Sequence, residues 1–444
     1  MPGAFAPTVL SLQGGTLEFH PTLRVAEEYS DNFFETSSHA QDNFRSILGP
    51  GFTLLLKGAR TFGTVFTTVD LVHDTAPNSG DEVKVFPSMN AAIRYALTPR
   101  LSLTLSDIFV RNDSATTLNP SGIRTGRQTF DANTAGVTVD YLLDQVALQA
   151  YYRNALFFNE GSPNTANGTN AVTSTTTGTT QNNTVANIVG LNGTTRIATD
   201  YLVRAGYEFS ATNVTGGNAS TDGTTTGNNI SNTGFASFSR LFGLYASGGV
   251  TTSYQHQSLN NTNIYNASLF GAYGLPTGLS LSALVGYSIL NSDTQSNTGT
   301  IAANANVSYR FTRAAVSVGV LQDFVQTAQT GQNFGTVETR SYYGSFLYQI
   351  TPFINATLNA NYTENSPTGT GNVQGAGTQT ILTYGAGVNW QLLRWLVARL
   401  QYTHIKSTGL NTFNQTTSPE NPGTAGTGGN FSENRATLGL YATF

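Results

Sequence analysis

Apolar and polar residues alternate along much of this chain with a period of two. Over 279–289, Leu279, Leu281, Ala283, Val285, Tyr287 and Ile289 share one face, and mostly Ser and Gly fall on the other. Over 44–57, Leu48, Phe52, Leu54 and Leu56 align; over 63–74, Val65, Val69 and Leu71 oppose Thr64, Thr68, Asp70 and Asp74. The chain closes on RATLGLYATF, where Ala436, Leu438, Leu440, Ala442 and Phe444 alternate with Arg435, Thr437, Gly439, Tyr441 and Thr443. A period of two belongs to strands, whose side chains point alternately to opposite faces. One such segment suits a half-buried soluble sheet. Many of them suit a closed membrane barrel, with one face toward lipid and one toward a wet lumen.

The pattern recurs as a hairpin unit. YALTPRLSL (95–103), YGLPTGLSL (273–281), YRFTRAAVSV (309–318), YQITPFINATL (348–358) and WQLLRWLVARL (390–400) each carry an aromatic, a tight turn and a new alternating run. Weaker copies lie at Lys57–Phe62, Tyr141–Val146, Ile197–Val203 and Phe238–Leu244. Repetition at a fixed spacing signals a repeated supersecondary unit. Between the short turns run polar stretches rich in Thr, Asn, Gly and Ser, at 159–183, 212–229, 366–377 and 407–429. Such stretches cannot bury a core. Nine short turns and two free ends predict ten hairpins: an all-β, closed antiparallel transmembrane β-barrel of about 20 strands, with short periplasmic turns and long extracellular loops. The barrel is expected over 15–444, after a short periplasmic segment, 1–14, that is too small for a plug. Val185–Ile197 and Ile230–Arg240 alternate poorly and make the strand count its weakest element. Asp107 breaks the parity of Leu101, Leu103 and Leu105, so a bulge or an interfacial position is expected there. Pro21, Pro50 and Pro87 are read as bulges or strand ends.

Composition supports this reading. Charged residues make up 10% of the chain, against about 25% in a typical soluble domain. No run of about 18 apolar residues exists, which excludes a transmembrane helix. No signal peptide is visible in 1–15, so an exported chain would be a mature or trimmed form. The chain has no Cys and a net charge of −4; it shows no basic stripe, so no nucleic-acid partner is expected. Tyr95, Tyr141, Tyr273, Tyr309, Tyr348, Trp390 and Phe444 all sit beside short turns, as an aromatic girdle at a water–lipid boundary would.

Parity also assigns a lumen face. Its expected bases are Arg24, Arg45, Lys84, Arg94, Arg153, Arg204, Arg310 and Arg399. Its expected acids are Glu18, Asp70, Asp140, Glu208 and Asp323, with His20 beside Glu18. Opposed charges across a pore orient polar solutes, or they simply satisfy one another. The slight basic excess favours anions a little, and parity alone reveals no ring of one sign. In the run DLVHD, Asp70 and Asp74 share a face while His73 points away, which argues against a metal or His–Asp catalytic pair. Glu18 and His20 could hold a cation, but read more simply as a polar contact. Asp31, Glu35, Asp42, Asp81, Glu82 and Asp293 belong to outer loops without the spacing of a calcium site. Triplets such as Asn167-Gly168-Thr169 follow from Asn and Thr richness. No haem motif, P-loop or nucleophile elbow is present, so no enzyme and no cofactor are expected.

The opening segment adds a family signal. Pro21–Phe34 reads PTLRVAEEYSDNFF and 47–54 reads ILGPGFTL. These resemble the β-barrel porin family of bacterial outer-membrane proteins, whose opening strand ends in Tyr-x-Asp-Asn, here Tyr29, Asp31 and Asn32, followed by a Pro-Gly pair, here Pro50 and Gly51. The resemblance implies an outer-membrane barrel, often associated with envelope polysaccharide export, without an established substrate. Expected partners are outer-membrane lipid, lipopolysaccharide and the barrel-assembly machinery, which would read the terminal strand through Leu438, Leu440 and Phe444. Two functions stand: a passive, weakly selective diffusion channel, or a sheath for an exported polymer or partner protein. A loop-displaying surface protein is a third.

Overall fold

A computed structural model describes residues 8–12, 15–35, 40–76, 82–113, 129–161, 183–215, 228–258, 261–293, 295–326, 336–368, 378–409 and 430–444. They form one antiparallel sheet, and no helix among them is long and apolar enough to cross a membrane. The strands in chain order are β1 (Thr8–Leu12), β2 (Gly15–Ser30), β3 (Asn43–Gly58), β4 (Thr61–Asp74), β5 (Lys84–Thr98), β6 (Leu101–Asn112) and β7 (Thr129–Leu142). Next come β8 (Val146–Gly161), β9 (Asn183–Ala198), β10 (Tyr201–Thr215), β11 (Asn228–Phe242), β12 (Ala246–Gln257), β13 (Thr262–Gly274) and β14 (Leu279–Ser292). The series ends with β15 (Gln295–Arg310), β16 (Ala314–Gln326), β17 (Thr336–Thr351), β18 (Ile354–Pro367), β19 (Gln379–Leu393), β20 (Leu396–Thr408) and β21 (Phe431–Thr443). Each strand pairs with its chain neighbour, and β21 pairs with β2 from Thr22↔Thr443 to Ser30↔Arg435. The strands β2 to β21 therefore close a 20-strand barrel. Closure removes the free edges that an open sheet would present.

The short turns have a local cause. At Thr98-Pro99-Arg100 the Thr98 hydroxyl accepts from the Arg100 and Leu101 amides, at 3.2 and 3.0 Å. Thr351 repeats this with Phe353 and Ile354, also at 3.2 and 3.0 Å. A one-residue register shift precedes each turn, at Ala96/Thr98 and Gln349/Thr351. A hydroxyl that mimics a backbone turn is the reason Thr recurs there. The poorly alternating stretches do form strands, β9 and β11, because both neighbours of each pair along nearly its full length.

Four expectations are corrected. The sheet begins before residue 15: β1 pairs with β2 from Thr8↔Phe19 to Leu12↔Gly15. The ladder runs unshifted through Asp107↔Ala135, so there is no bulge at Asp107. Asp107 keeps the outward parity of Leu105, and the Asn133 amide donates to it at 2.6 Å. The prolines are not bulges either. Pro50 lies where the β3–β4 bonds lapse between Leu48↔Leu71 and Gly51↔Thr68 without a change of register. Pro87 lies just past the β5–β6 ladder, which ends at Ser88↔Val110. Pro21 lies where the edge of β2 changes partner from β1 to β21, and its carbonyl accepts from the Phe444 amide at 2.9 Å. A residue without an N–H fits where the ladder is interrupted. Finally, the outer connections are not uniformly long: those after β12 and β14 span only 258–261 and 293–294.

Candidate functional site: the lumen wall

Long-range contacts identify the inner face. Side chains on the concave side of a barrel converge and can reach past a neighbouring strand, whereas those on the convex side diverge. Tyr151 of β8 donates to Glu208 of β10 across β9, where Gly190 leaves room: a Cβ there would strike the Tyr151 ring. Asn306 of β15 donates to the Tyr343 hydroxyl of β17 at 3.4 Å across β16. Arg45 of β3 donates to Asp113, just past β6, at 3.0 Å. Register carries this assignment around the barrel. It puts every expected lumen base and acid on the concave face, and Tyr95, Tyr141, Tyr273, Tyr309, Tyr348, Trp390 and Phe444 on the convex face near the short turns. Phe444 stacks on Trp395 with centroids 5.5 Å apart.

The concave wall sorts its charges by partner. Arg24 meets Asp70 at 3.0 Å, and Gly49 lies beneath the pair, where a Cβ would strike the Asp70 carboxylate. Arg45 and Lys84 converge on Asp74, at 2.7 and 2.9 Å, and the Phe33 ring covers both cations. Arg153 reaches Glu208 at 3.2 Å. Glu18 is held by Lys57 at 2.9 Å and by His20 at 3.6 Å. Asp140 accepts from Gln149, and Asp323 from Ser288. Arg94 donates to the Ser102 hydroxyl at 3.1 Å and Arg399 to the Asn389 carbonyl at 2.7 Å. Arg204 lies over the Phe235 ring and Arg399 over the Tyr441 ring. The two carboxylates of DLVHD are thus occupied by Arg24, Arg45 and Lys84, and His73 faces outward opposite Ser46. Among the described residues no group of three or more His, Asp or Glu could hold a metal ion.

Parity did not single out a second network, at the closing seam. Arg435 contacts Glu433 at 2.9 Å and Glu28 at 3.7 Å, and the Ser30 hydroxyl donates to Glu433 at 2.7 Å. Above it, Asn434 donates to Asp31 through its backbone and side-chain amides, at 2.7 and 2.6 Å. The signal available was the i, i+2 spacing of Glu433 and Arg435, which puts opposite charges on one face. Asp31, Glu35, Asp42, Glu82 and Asp293 lie at the outer end as expected, while Asp81, Asn167–Thr169 and the cores of the long polar stretches lie outside the described residues.

Depth divides the wall. At the outer end the inward side chains are buried around the circumference: Val72, Phe130, Ala186, Ile264, Ser288, Thr363, Gln379, Ser407 and Glu433. Deeper in, Arg94, Arg204, Arg310 and Arg399 are exposed to the lumen. The convex face carries a second tyrosine belt at the outer end. Tyr152 donates to Asn187, Tyr207 to Asn232, Tyr254 to Asn263 and Tyr402 to Asn434, at 2.8, 2.5, 2.8 and 2.6 Å. Between the belts lie exposed apolar residues such as Leu269, Val285, Ile301, Leu400 and Leu438. A continuous apolar band of this kind is foreign to a water-facing surface.

No family model and no curated protein matches the chain. Solved structures do. The siderophore receptor PirA of Acinetobacter baumannii is 9% identical with a TM-score of 0.55, the alignment covering 96% of this chain and 80% of that one. A point mutant of the ferric enterobactin receptor PfeA of Pseudomonas aeruginosa, in complex with enterobactin, is 10% identical with a TM-score of 0.52, covering 96% and 81%. OpdQ of Pseudomonas aeruginosa is 13% identical with a TM-score of 0.43, covering 96% and 99%. The likeness to PirA and PfeA is one of fold, a closed antiparallel β-barrel.

Proposed function

We propose that this protein is a bacterial outer-membrane channel for passive, weakly selective diffusion of small polar solutes or ions. The observation that carries this reading is the concave wall itself. Its inner part is water-exposed and lined with charges of both signs, some of them paired, while the convex face is apolar between two aromatic belts. Charges of both signs keep a lumen wet and leave only a modest preference for one ion. The buried outer end favours small solutes over a polymer threading the barrel. In this reading Leu438, Leu440 and Phe444 present the terminal strand to the assembly machinery, and the tyrosine–asparagine belt meets the lipopolysaccharide leaflet. The test is single-channel recording with purified protein in a planar bilayer. Discrete, ohmic steps are expected. A bilayer that stays silent would overturn the channel reading and favour a sheath for exported polysaccharide or a partner protein.

A further inference from the structure

We propose that Arg94, Arg204, Arg310 and Arg399 form an anion-selecting ring at the short-turn mouth of the lumen. The proposal rests on the channel reading and deepens it. Parity supplies the face of these residues; their depth, azimuth and partners come from the fold. Each stands close to a short turn: Arg204 and Arg399 follow shortly after the starts of β10 and β20, Arg310 ends β15, and Arg94 of β5 pairs with Thr104 near the start of β6. Their strands are β5, β10, β15 and β20 of a barrel closed by β2 to β21, so neighbouring arginines are a quarter-turn apart and Arg94 faces Arg310 across the lumen.

The four side chains are exposed, and among the described residues none reaches a carboxylate. Their partners are neutral: a serine hydroxyl for Arg94, a phenyl ring for Arg204, and an amide and a phenol ring for Arg399. At this level Glu18 is neutralised by Lys57, while Asp140, held by the uncharged Gln149 and, at 3.5 Å, Ser102, keeps its charge. Arg196, paired with Leu202 on the concave parity near the end of β9, adds a further exposed base. The short turns add Arg60, Arg313 and Arg394 against Asp200, and Arg100 is paired with Asp144 at 2.7 Å. Elsewhere on the wall Arg24, Arg45, Lys84 and Arg153 are cancelled by acids. The four arginines, with Arg196, therefore leave the short-turn mouth with an excess of positive charge over Asp140 and Asp200. Like charges around a low-dielectric wall focus their field into the bore and concentrate counter-ions there. They are too far apart to chelate one small anion, so they act as a field, screened beyond about 10 Å at 0.1 M salt.

The experiment compares the intact protein with the quadruple variant R94Q/R204Q/R310Q/R399Q by reversal potential in a dilute potassium chloride gradient. R240Q is the control; Arg240 packs on Tyr201 and Phe242 and shares the convex parity of Phe238. The intact barrel is expected to favour chloride, and the quadruple variant to lose that preference several-fold toward unity while R240Q keeps it. An unchanged reversal potential in the quadruple variant, or a cation-selective intact protein, overturns the ring. If neither protein conducts, titration of inorganic tripolyphosphate into each in detergent by calorimetry decides. Binding to the intact protein that is lost in the quadruple variant keeps the ring while the channel reading falls. Equal binding, or none to either protein, overturns the ring.

Discussion

The seam where β2 meets β21 and the far wall around β13–β18 are built from the same ladder, yet they are joined differently. The seam is a charge network: Glu28, Ser30, Glu433 and Arg435 interlock on its inner face, and Asp31 and Asn434 on its outer face. The far wall is joined by hydroxyls and amides: Asn266 to Ser288 at 2.7 Å, Asn306 to Ser317 at 2.9 Å, and Ser341 to Asn361 at 2.8 Å. Loop closure explains the difference. Most pairs on the far wall meet within a hairpin, whose turn fixes the register. Ser30 and Glu433 are 403 residues apart and no turn aligns them. A slip of one residue would turn every side chain of β21 to the wrong face. Charge complementarity, with Glu433 fully buried, penalises that slip where nothing local does.

The largest effect is therefore expected at the seam. Arg435→Met leaves Glu433 buried without its cation and should cost about 3–5 kcal/mol. Urea titration read by loss of the compact, heat-sensitive gel band measures it. A cost below that of the far-wall variants would break the contrast. Next, Val285→Arg on the convex face of the far wall should cost roughly 2–4 kcal/mol, and Leu281→Arg, closer to the short-turn girdle, about 0–1 kcal/mol. Reversible unfolding in lipid vesicles gives both values, and a reversed order would mean that face or depth is misassigned. Smaller than Val285→Arg is Asn306→Ala, which removes neutral hydrogen bonds to Ser317 and Tyr343 and should cost about 0.5–1.5 kcal/mol. A loss equal to that of Arg435→Met would show that the far wall specifies register as strongly as the seam. Deleting Phe444 sharpens the comparison from another side. It removes the hydrogen bond that the Phe444 amide donates to the Pro21 carbonyl and the ring on Trp395, so assembled yield should fall further than after deletion of 171–180, scored by protease resistance.

The hairpins were legible because alternation and turn chemistry are local. YALTPRL and YQITPFI announce both the Thr-capped turn and the girdle aromatic beside it. Asp107 misled because a carboxylate on the outward face conflicts with parity unless a neighbour such as Asn133 satisfies it, and that neighbour lies on another strand. The strand β1 was missed because five residues give too short a pattern. The lumen face was readable, but Lys57, Asp113 and Tyr151 were passed over. Which charges cancel depends on partners several strands away, such as Arg45 with Asp113. That is also why Arg94, Arg204, Arg310 and Arg399, which reach no carboxylate, look, in sequence, no different from Arg24 or Arg153.

The two aromatic belts also act as a ruler. Tyr265, whose ring lies 5.0 Å from that of Tyr254 in the outer belt, and Tyr273 bound the apolar stretch of β13. Eight residues at about 3.3 Å each, tilted by about 40°, give a hydrophobic height of roughly 20 Å. Protein and bilayer thickness must match, or one of them deforms at a cost of fractions of a kcal/mol per Å. A barrel this short is suited to a thin membrane. Its folding yield in vesicles should fall as the acyl chains are lengthened, which makes lipid chain length a sorting signal written into the spacing of two tyrosines.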